Sequence, residues 1–175
     1  HPCYNRFQLF KNYLPQAQSE SKSLDIWGNI GFFTRELEKL GFNAYIIEHE
    51  SFYIKILQKF KEFLWFKYII IDEDMFDWKG ISENKFDVVL ALNIFHHFIK
   101  TEQFHQKLVK LLNNLNTDVI IFESHDPKEE QMDNSYKNYS PEEFVQFIMK
   151  ETGLTKHEEI WMIEADKRRV FKIYR

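Results

Sequence analysis

The stretch Ser23-Leu24-Asp25-Ile26-Trp27-Gly28-Asn29-Ile30-Gly31-Phe32-Phe33 constrains this chain more than any other. A short apolar run ends on an aspartate, a segment with two glycines follows, and a helical pattern then begins at Phe32-Phe33-Thr34-Arg35-Glu36-Leu37. Glycine belongs in such a segment because the backbone must turn sharply and let a ligand approach without a Cβ in the way. Strand, glycine turn and helix in that order open a nucleotide-binding α/β unit. Such a unit carries an acid about 20 positions further on, and Glu48 stands there, closing the apolar run Ala44-Tyr45-Ile46-Ile47.

The rest of the chain repeats the alternation. Apolar positions between 4 and 14 predict a short amphipathic helix ended by Pro15, and a polar connector follows. Strands are predicted at Leu24 to Trp27, Asn43 to Glu48, Tyr68 to Ile71, Phe86 to Leu92 and Asp118 to Glu123. The run Tyr68-Ile69-Ile70-Ile71 is continuous, as in a strand covered on both faces. Helices are expected from Gly31 to Leu40, Ser51 to Leu64 and Thr101 to Leu115, and from Ser140-Pro141-Glu142-Glu143, a capping signature, to Gly153. His157 to Ile163 and Arg169 to Tyr174 alternate without a helix between them and predict an antiparallel hairpin.

The fold class is therefore α/β: a doubly wound, mostly parallel seven-stranded sheet with helices on both faces and an antiparallel C-terminal hairpin. One domain is expected over 1–175, with 1–22 as helix and connector and 23–175 as the Rossmann-like core.

Composition narrows the partners. With 44% hydrophobic and 29% charged residues the chain is globular rather than disordered, and its net charge of −4 advertises no nucleic-acid surface. The most apolar stretch, Phe63 to Ile71, is too short to span a bilayer, so no membrane partner is expected. Cys3 is the single cysteine, which excludes an internal disulfide and fits a reducing, cytoplasmic setting. Nothing in the pattern speaks to oligomeric state.

In an open α/β sheet ligands bind outside the carboxyl ends of the strands. The chemistry-bearing residues there are Asp25, Glu48 with Glu50 as a substitute, Asp72-Glu73-Asp74, Asn93 with His96-His97, and Glu123 with His125. Imidazole titrates near neutrality, so a histidine at such an end can accept a substrate proton. Adjacent residues point different ways, so one of His96 and His97 is expected to face substrate, and His97 is favoured. His125, on the neighbouring strand, can converge with them. Three histidines and Glu123 raise a metal site, but without a tight His or Cys pair none is expected. Tyr136 and Tyr139 are candidates for a lid or for loop anchors.

Asp25-Ile26-Trp27-Gly28-Asn29-Ile30-Gly31 resembles motif I of class I S-adenosylmethionine-dependent methyltransferases, Asp-x-Gly-x-Gly/Asn-x-Gly, with Trp27 in place of the first glycine. The string from Phe86 to Phe98, with Asn93 and His96-His97, is similar to a segment of many small-molecule methyltransferases. The resemblance covers roughly residues 20 to 175 and implies S-adenosylmethionine as cofactor and a small-molecule or sugar-type oxygen or nitrogen acceptor. It implies that Asp25, Trp27, Gly28, Asn29 and Gly31 form the cofactor loop and that Glu48 takes the ribose hydroxyls. Asp74 and Met75 would receive the adenine, and Asn93 would border the cofactor. Two other readings stand beside it. One is a catalytically silent methyltransferase-like binding domain, motivated by Trp27 filling space meant for the methionine part of the cofactor. The other is a nicotinamide-dependent oxidoreductase, against which the missing third glycine argues.

Overall fold

The computed structural model describes residues 2–163 and 167–175. Helix α1 (Pro2–Phe10) runs into a 3-10 turn (Lys11–Tyr13), as the apolar spacing before Pro15 predicts. The chain continues through β1 (Lys22–Ile26), α2 (Phe32–Lys39), β2 (Asn43–Ile47), α3 (Ser51–Leu64) and β3 (Ile69–Ile71). Then come a one-turn helix α4 (Gly80–Glu83), β4 (Val88–Leu92), a 3-10 turn (Phe95–Ile99), α5 (Glu102–Asn114) and β5 (Val119–Glu123). The last elements are a 3-10 turn (Glu130–Met132), α6 (Pro141–Thr152), β6 (Lys156–Ile163) and β7 (Arg168–Tyr174). Residues 164–166, in the turn of the predicted hairpin, lie outside the described residues.

The described strands form one seven-stranded sheet in the order β3-β2-β1-β4-β5-β7-β6. All neighbours from β3 to β5 pair in parallel, while β7 runs antiparallel to both β5 and β6. The chain winds from β1 out to β3 and then returns to place β4 on the other side of β1. Strand order reverses between β1 and β4, where an open α/β sheet leaves a crevice at its carboxyl ends.

Alternation along the central strands divides the core in two. Leu24, Ile26, Val89, Ala91, Ile120 and Phe122 face one layer, built with Leu108, Leu111, Leu112 of α5 and Phe144, Val145, Ile148 of α6. Val88, Leu90 and Ile121 face the other, with Phe7 and Phe10 of α1, Phe33 and Leu37 of α2 and Leu57 of α3. Full burial of each such side chain is worth roughly 1.5–3 kcal/mol, so both layers hold the sheet flat against its helices.

One expectation is corrected. The run Tyr68 to Ile71 is not covered on both faces: β3 is an edge strand, Ile69 is 42% exposed, and Ile70 and Ile71 are half-buried. Only Tyr68, before the strand, is fully buried, with its hydroxyl donating to Leu57 O at 2.7 Å.

Candidate functional site

The backbone leaves β1 with Trp27 N–H still donating to Ile47 O of β2, at 2.9 Å. Trp27 and Asn29 then adopt left-handed backbone, φ 55° and 57°, and Gly31 follows at φ 68°. A Cβ on Gly28 would lie 2.5 Å from Asp25 Oδ2 and 2.6 Å from Ile46 Cδ1, so glycine is required there by space rather than by dihedral. Helix α2 starts directly after this loop.

Asp25 is buried at the end of β1 and accepts a hydrogen bond from Thr34 Oγ1 at 2.7 Å. Burial pushes its carboxyl up to about 6, the Thr34 hydrogen bonds oppose that, and the charge of Glu48 adds to it. Glu48, 3% exposed, accepts three backbone N–H groups: Asn29 at 3.1 Å, His49 at 2.9 Å and Glu50 at 3.0 Å. Its carboxylate thus ties the glycine loop to the start of α3. Glu50 stands at the cap of α3 with its side chain exposed.

Two cavities open on this loop. The larger, about 460 Å3, is lined by Asp25, Gly28, Asn29, Asn93 and His97, together with Cys3 and Arg6 of α1 and Phe32 and Phe33 of α2. The smaller, about 200 Å3, is lined by Glu48, His49, Glu50 and Tyr53. Trp27 and Asn29 border both. The Trp27 indole lies 5.1 Å from the His49 ring, 5.4 Å from Phe98 and 6.4 Å from His97, spanning from the end of β2 to the segment after β4.

The 3-10 turn after β4 separates the paired histidines. His97 lines the larger cavity, whereas His96 is 2% exposed and packs its ring 4.0 Å from that of His97. His125 is fully buried 5.6 Å from His96, because β4 and β5 are neighbours with Leu92 opposite Glu123. Asn138 Nδ2 donates to Pro127 O at 2.8 Å, which turns Asn138 Oδ1 toward His125 Nε2 at 3.0 Å. That nitrogen therefore carries the proton, and the opposite one, Nδ1, is a buried lone pair with no partner among the described residues. His96 Nδ1 and Asn93 Oδ1 are likewise buried without a partner there.

Desolvation lowers the pKa of all three imidazoles, although His97, unlike the buried His96 and His125, keeps an exposed face. His96 is pushed down to about 3 by burial and by the positive charge that His97, His125 and Arg168 can carry, against the pull of Glu129. His97 is lowered by burial, Lys100 and Arg168, and His125 mainly by burial. Burial works against ionisation of Glu129, but the Arg168 hydrogen bonds at 2.9 and 3.1 Å hold it down to about 2.

Several expected site residues sit elsewhere. Asp74 is exposed and accepts from Phe76 N–H at 3.0 Å within its own turn, and Met75 is buried in the core. Neither is among the residues lining the two cavities. Tyr139 bonds His105 Nε2 at 3.0 Å and stacks on Phe147, and Tyr136 packs against His105, so both anchor their loop to α5 and α6. Glu123 is buried and paired with Arg6 of α1, with Arg168 at 3.9 Å. Among the described residues no three His, Cys, Asp or Glu side chains converge as metal ligands. The walls supplied by Cys3, Arg6, His49 and Tyr53 have no signature in sequence, since each is a single residue brought in by the docking of its helix or loop.

No family model matches the chain, and no curated protein matches it in sequence. Solved structures do. The bifunctional kinase-methyltransferase WbdD superposes with a TM-score of 0.79 at 17% identity over 98% of this chain, which spans only 39% of that protein's chain. Magnesium protoporphyrin IX methyltransferase (ChlM) from Synechocystis PCC 6803, solved with bound S-adenosylmethionine, matches with a TM-score of 0.66 at 14% identity, covering 99% of this chain and 77% of that one. The N-methyltransferase NodS from Bradyrhizobium japonicum WM9 matches with a TM-score of 0.68 at 11% identity, covering 98% and 94%. The chain has the fold of class I S-adenosylmethionine-dependent methyltransferases.

Proposed function

We propose that this chain is a methyltransferase domain that takes S-adenosylmethionine and methylates an oxygen or nitrogen of a small-molecule or sugar-type acceptor. One observation carries the reading: the glycine loop after β1, bonded through Asn29 N–H to Glu48, opens on a 460 Å3 cavity that His97 also lines. That volume lies within the roughly 300–1,000 Å3 of ordinary ligand sites.

The residues present fit the cofactor. Asp25 and Asn93 line the larger cavity and carry acceptor oxygens for a cationic amino group; Asn93 Oδ1, buried and without a partner among the described residues, would be presented by rotation of its amide. Glu48 holds three N–H groups, and a carboxylate has about four lone-pair sites, so capacity remains toward the smaller cavity for a hydroxyl. When bound, the sulfonium supplies an activated methyl group. The protein then has to align the acceptor and remove its proton. His97, exposed toward the cavity and with its pKa lowered by partial desolvation and by Lys100 and Arg168, would receive that proton on a ring nitrogen. The His96 ring lies tilted against it at 4.0 Å, and His125 stacks on the far side of His96.

The silent-domain reading keeps one specific support, since the Trp27 indole crosses the site between His49 and His97. Calorimetric titration of the wild type and of Trp27→Gly with S-adenosylmethionine decides. Heat from the wild type at sub-millimolar ligand supports the enzyme. Tightening by about tenfold in Trp27→Gly, roughly 1.4 kcal/mol of affinity, would show the indole competing with the cofactor for space between His49 and His97. No heat from either protein sinks the methyltransferase reading.

A further inference from the structure

Helix α3 turns one stripe of its surface away from the protein. Phe52, Lys55, Lys59, Glu62 and Phe63 recur at intervals of three and four, which places them on one face, and all are exposed. Phe52 is 66% and Phe63 70% exposed. The surface continues past the helix end with Leu64 at 54%, Trp65 at 87%, Lys67, and Ile69 of the edge strand at 42%. Trp65 ends the helix in left-handed backbone, φ 58°. The opposite face of α3 is properly seated, with Ile54 and Leu57 buried, so the exposed aromatics are not the product of a badly docked helix. Large apolar side chains at this density mark an interaction surface.

Its composition selects the partner. Lysine is depleted at the centre of protein–protein interfaces. Here Lys55 and Lys59 are interleaved with the aromatics, and Lys67 flanks Trp65. Aromatic rings with lysines among them suit the boundary between water and lipid, where the rings sit at headgroup depth and the amines reach phosphate. Among the described residues none of these three lysines is in an ion pair. Lys55, Lys59 and Lys67 outnumber the two acids at this surface, Glu62 in the stripe and Glu38, whose carboxylate accepts the Lys67 and Tyr68 backbone N–H groups. The face is therefore locally positive on a chain whose net charge is −4. We propose that the outer face of α3 and the Leu64–Lys67 corner form a peripheral docking surface for an anionic lipid bilayer. None of these residues lines the two cavities, so the surface stands independently of methyl transfer.

Co-sedimentation with vesicles tests this directly. The protein is expected to pellet with vesicles of phosphatidylcholine mixed with phosphatidylglycerol, not with phosphatidylcholine alone, and to be released by high salt. The Lys55→Gln/Lys59→Gln double variant should bind about thirtyfold more weakly, and Phe63→Ser/Trp65→Ser should not bind. Trp emission should shift to the blue on binding, and Trp65→Phe should abolish that shift. All these positions are exposed, so far-UV circular dichroism should match the wild type in each variant. Absence of binding to anionic vesicles overturns the assignment, as does binding that ignores the substitutions. So does a vesicle-free dimer in sedimentation velocity that the same substitutions dissolve, which would make the face a contact between two copies.

Discussion

Glu48 shows how far a single position could be read and where the reading stopped. Its place at the end of the second strand was legible, because an acid that closes an apolar run about 20 residues after a glycine turn is a linear pattern. Its three backbone partners were not, since they depend on how the loop and α3 meet. Glu48→Ala is therefore expected to cost roughly 1–3 kcal/mol of cofactor affinity, seen by calorimetry, and also to lower the melting temperature by freeing buried N–H groups. An unchanged melting temperature would show that the loop does not lean on Glu48. Gly28 makes the complementary case. Gly28→Ala should destabilise by about 1–3 kcal/mol through overpacking, because its methyl would meet Asp25 and Ile46. Gly153→Ala, in open space at φ 72°, should cost only backbone strain. Denaturant midpoints of the two variants test the contrast.

At the scale of elements, local signals carried well. The Ser140 capping box forms as its sequence predicts, with Ser140 N–H donating to Glu143 at 2.8 Å and Glu143 N–H to Ser140 Oγ at 3.3 Å. Ser140→Ala should cost about 1 kcal/mol, measured as a shift in urea midpoint with an unchanged slope. Strand β3 marks the limit. Its apolar run reads the same at the centre of a sheet or at its edge, because strand order is fixed by non-local pairing. The helix over Ser51 to Leu64 was equally legible, but not that its aromatics at Phe52 and Phe63 would face solvent.

The whole molecule carries opposing proton linkages. His96 is held near 3 when folded against 6.5 when free, so its contribution to stability is complete above 6.5 and is lost as pH falls toward 3. Asp25 is raised from 3.8 to about 6, so its contribution has the opposite sign, complete below 3.8 and lost as pH rises through about 6. The melting temperature should begin to fall as pH drops below 6.5, and the fall should be shallower where Asp25 begins to take up its proton. His96→Leu should flatten the acid limb, and Asp25→Asn should steepen it between about 6 and 3.8. Calorimetric scans across that range would decide, and a His96→Leu protein as acid-sensitive as the wild type would place the linkage elsewhere.

The pairing of Arg6 with Glu123 joins residues 117 positions apart and lays α1 along the wall of the larger cavity. During synthesis α1, β1 and the glycine loop are all made long before Glu123, the partner that ties that wall to the sheet. Before β5 enters the sheet, α1 has its packing on α2, as in Phe10 against Phe33, but not the Arg6–Glu123 pair. The ion pair that ties this wall to the sheet is thus a late addition, and a nascent chain stalled before Glu123 holds the loop without it. A ligand that needs this wall fixed in place therefore meets a chain made at least as far as its fifth strand.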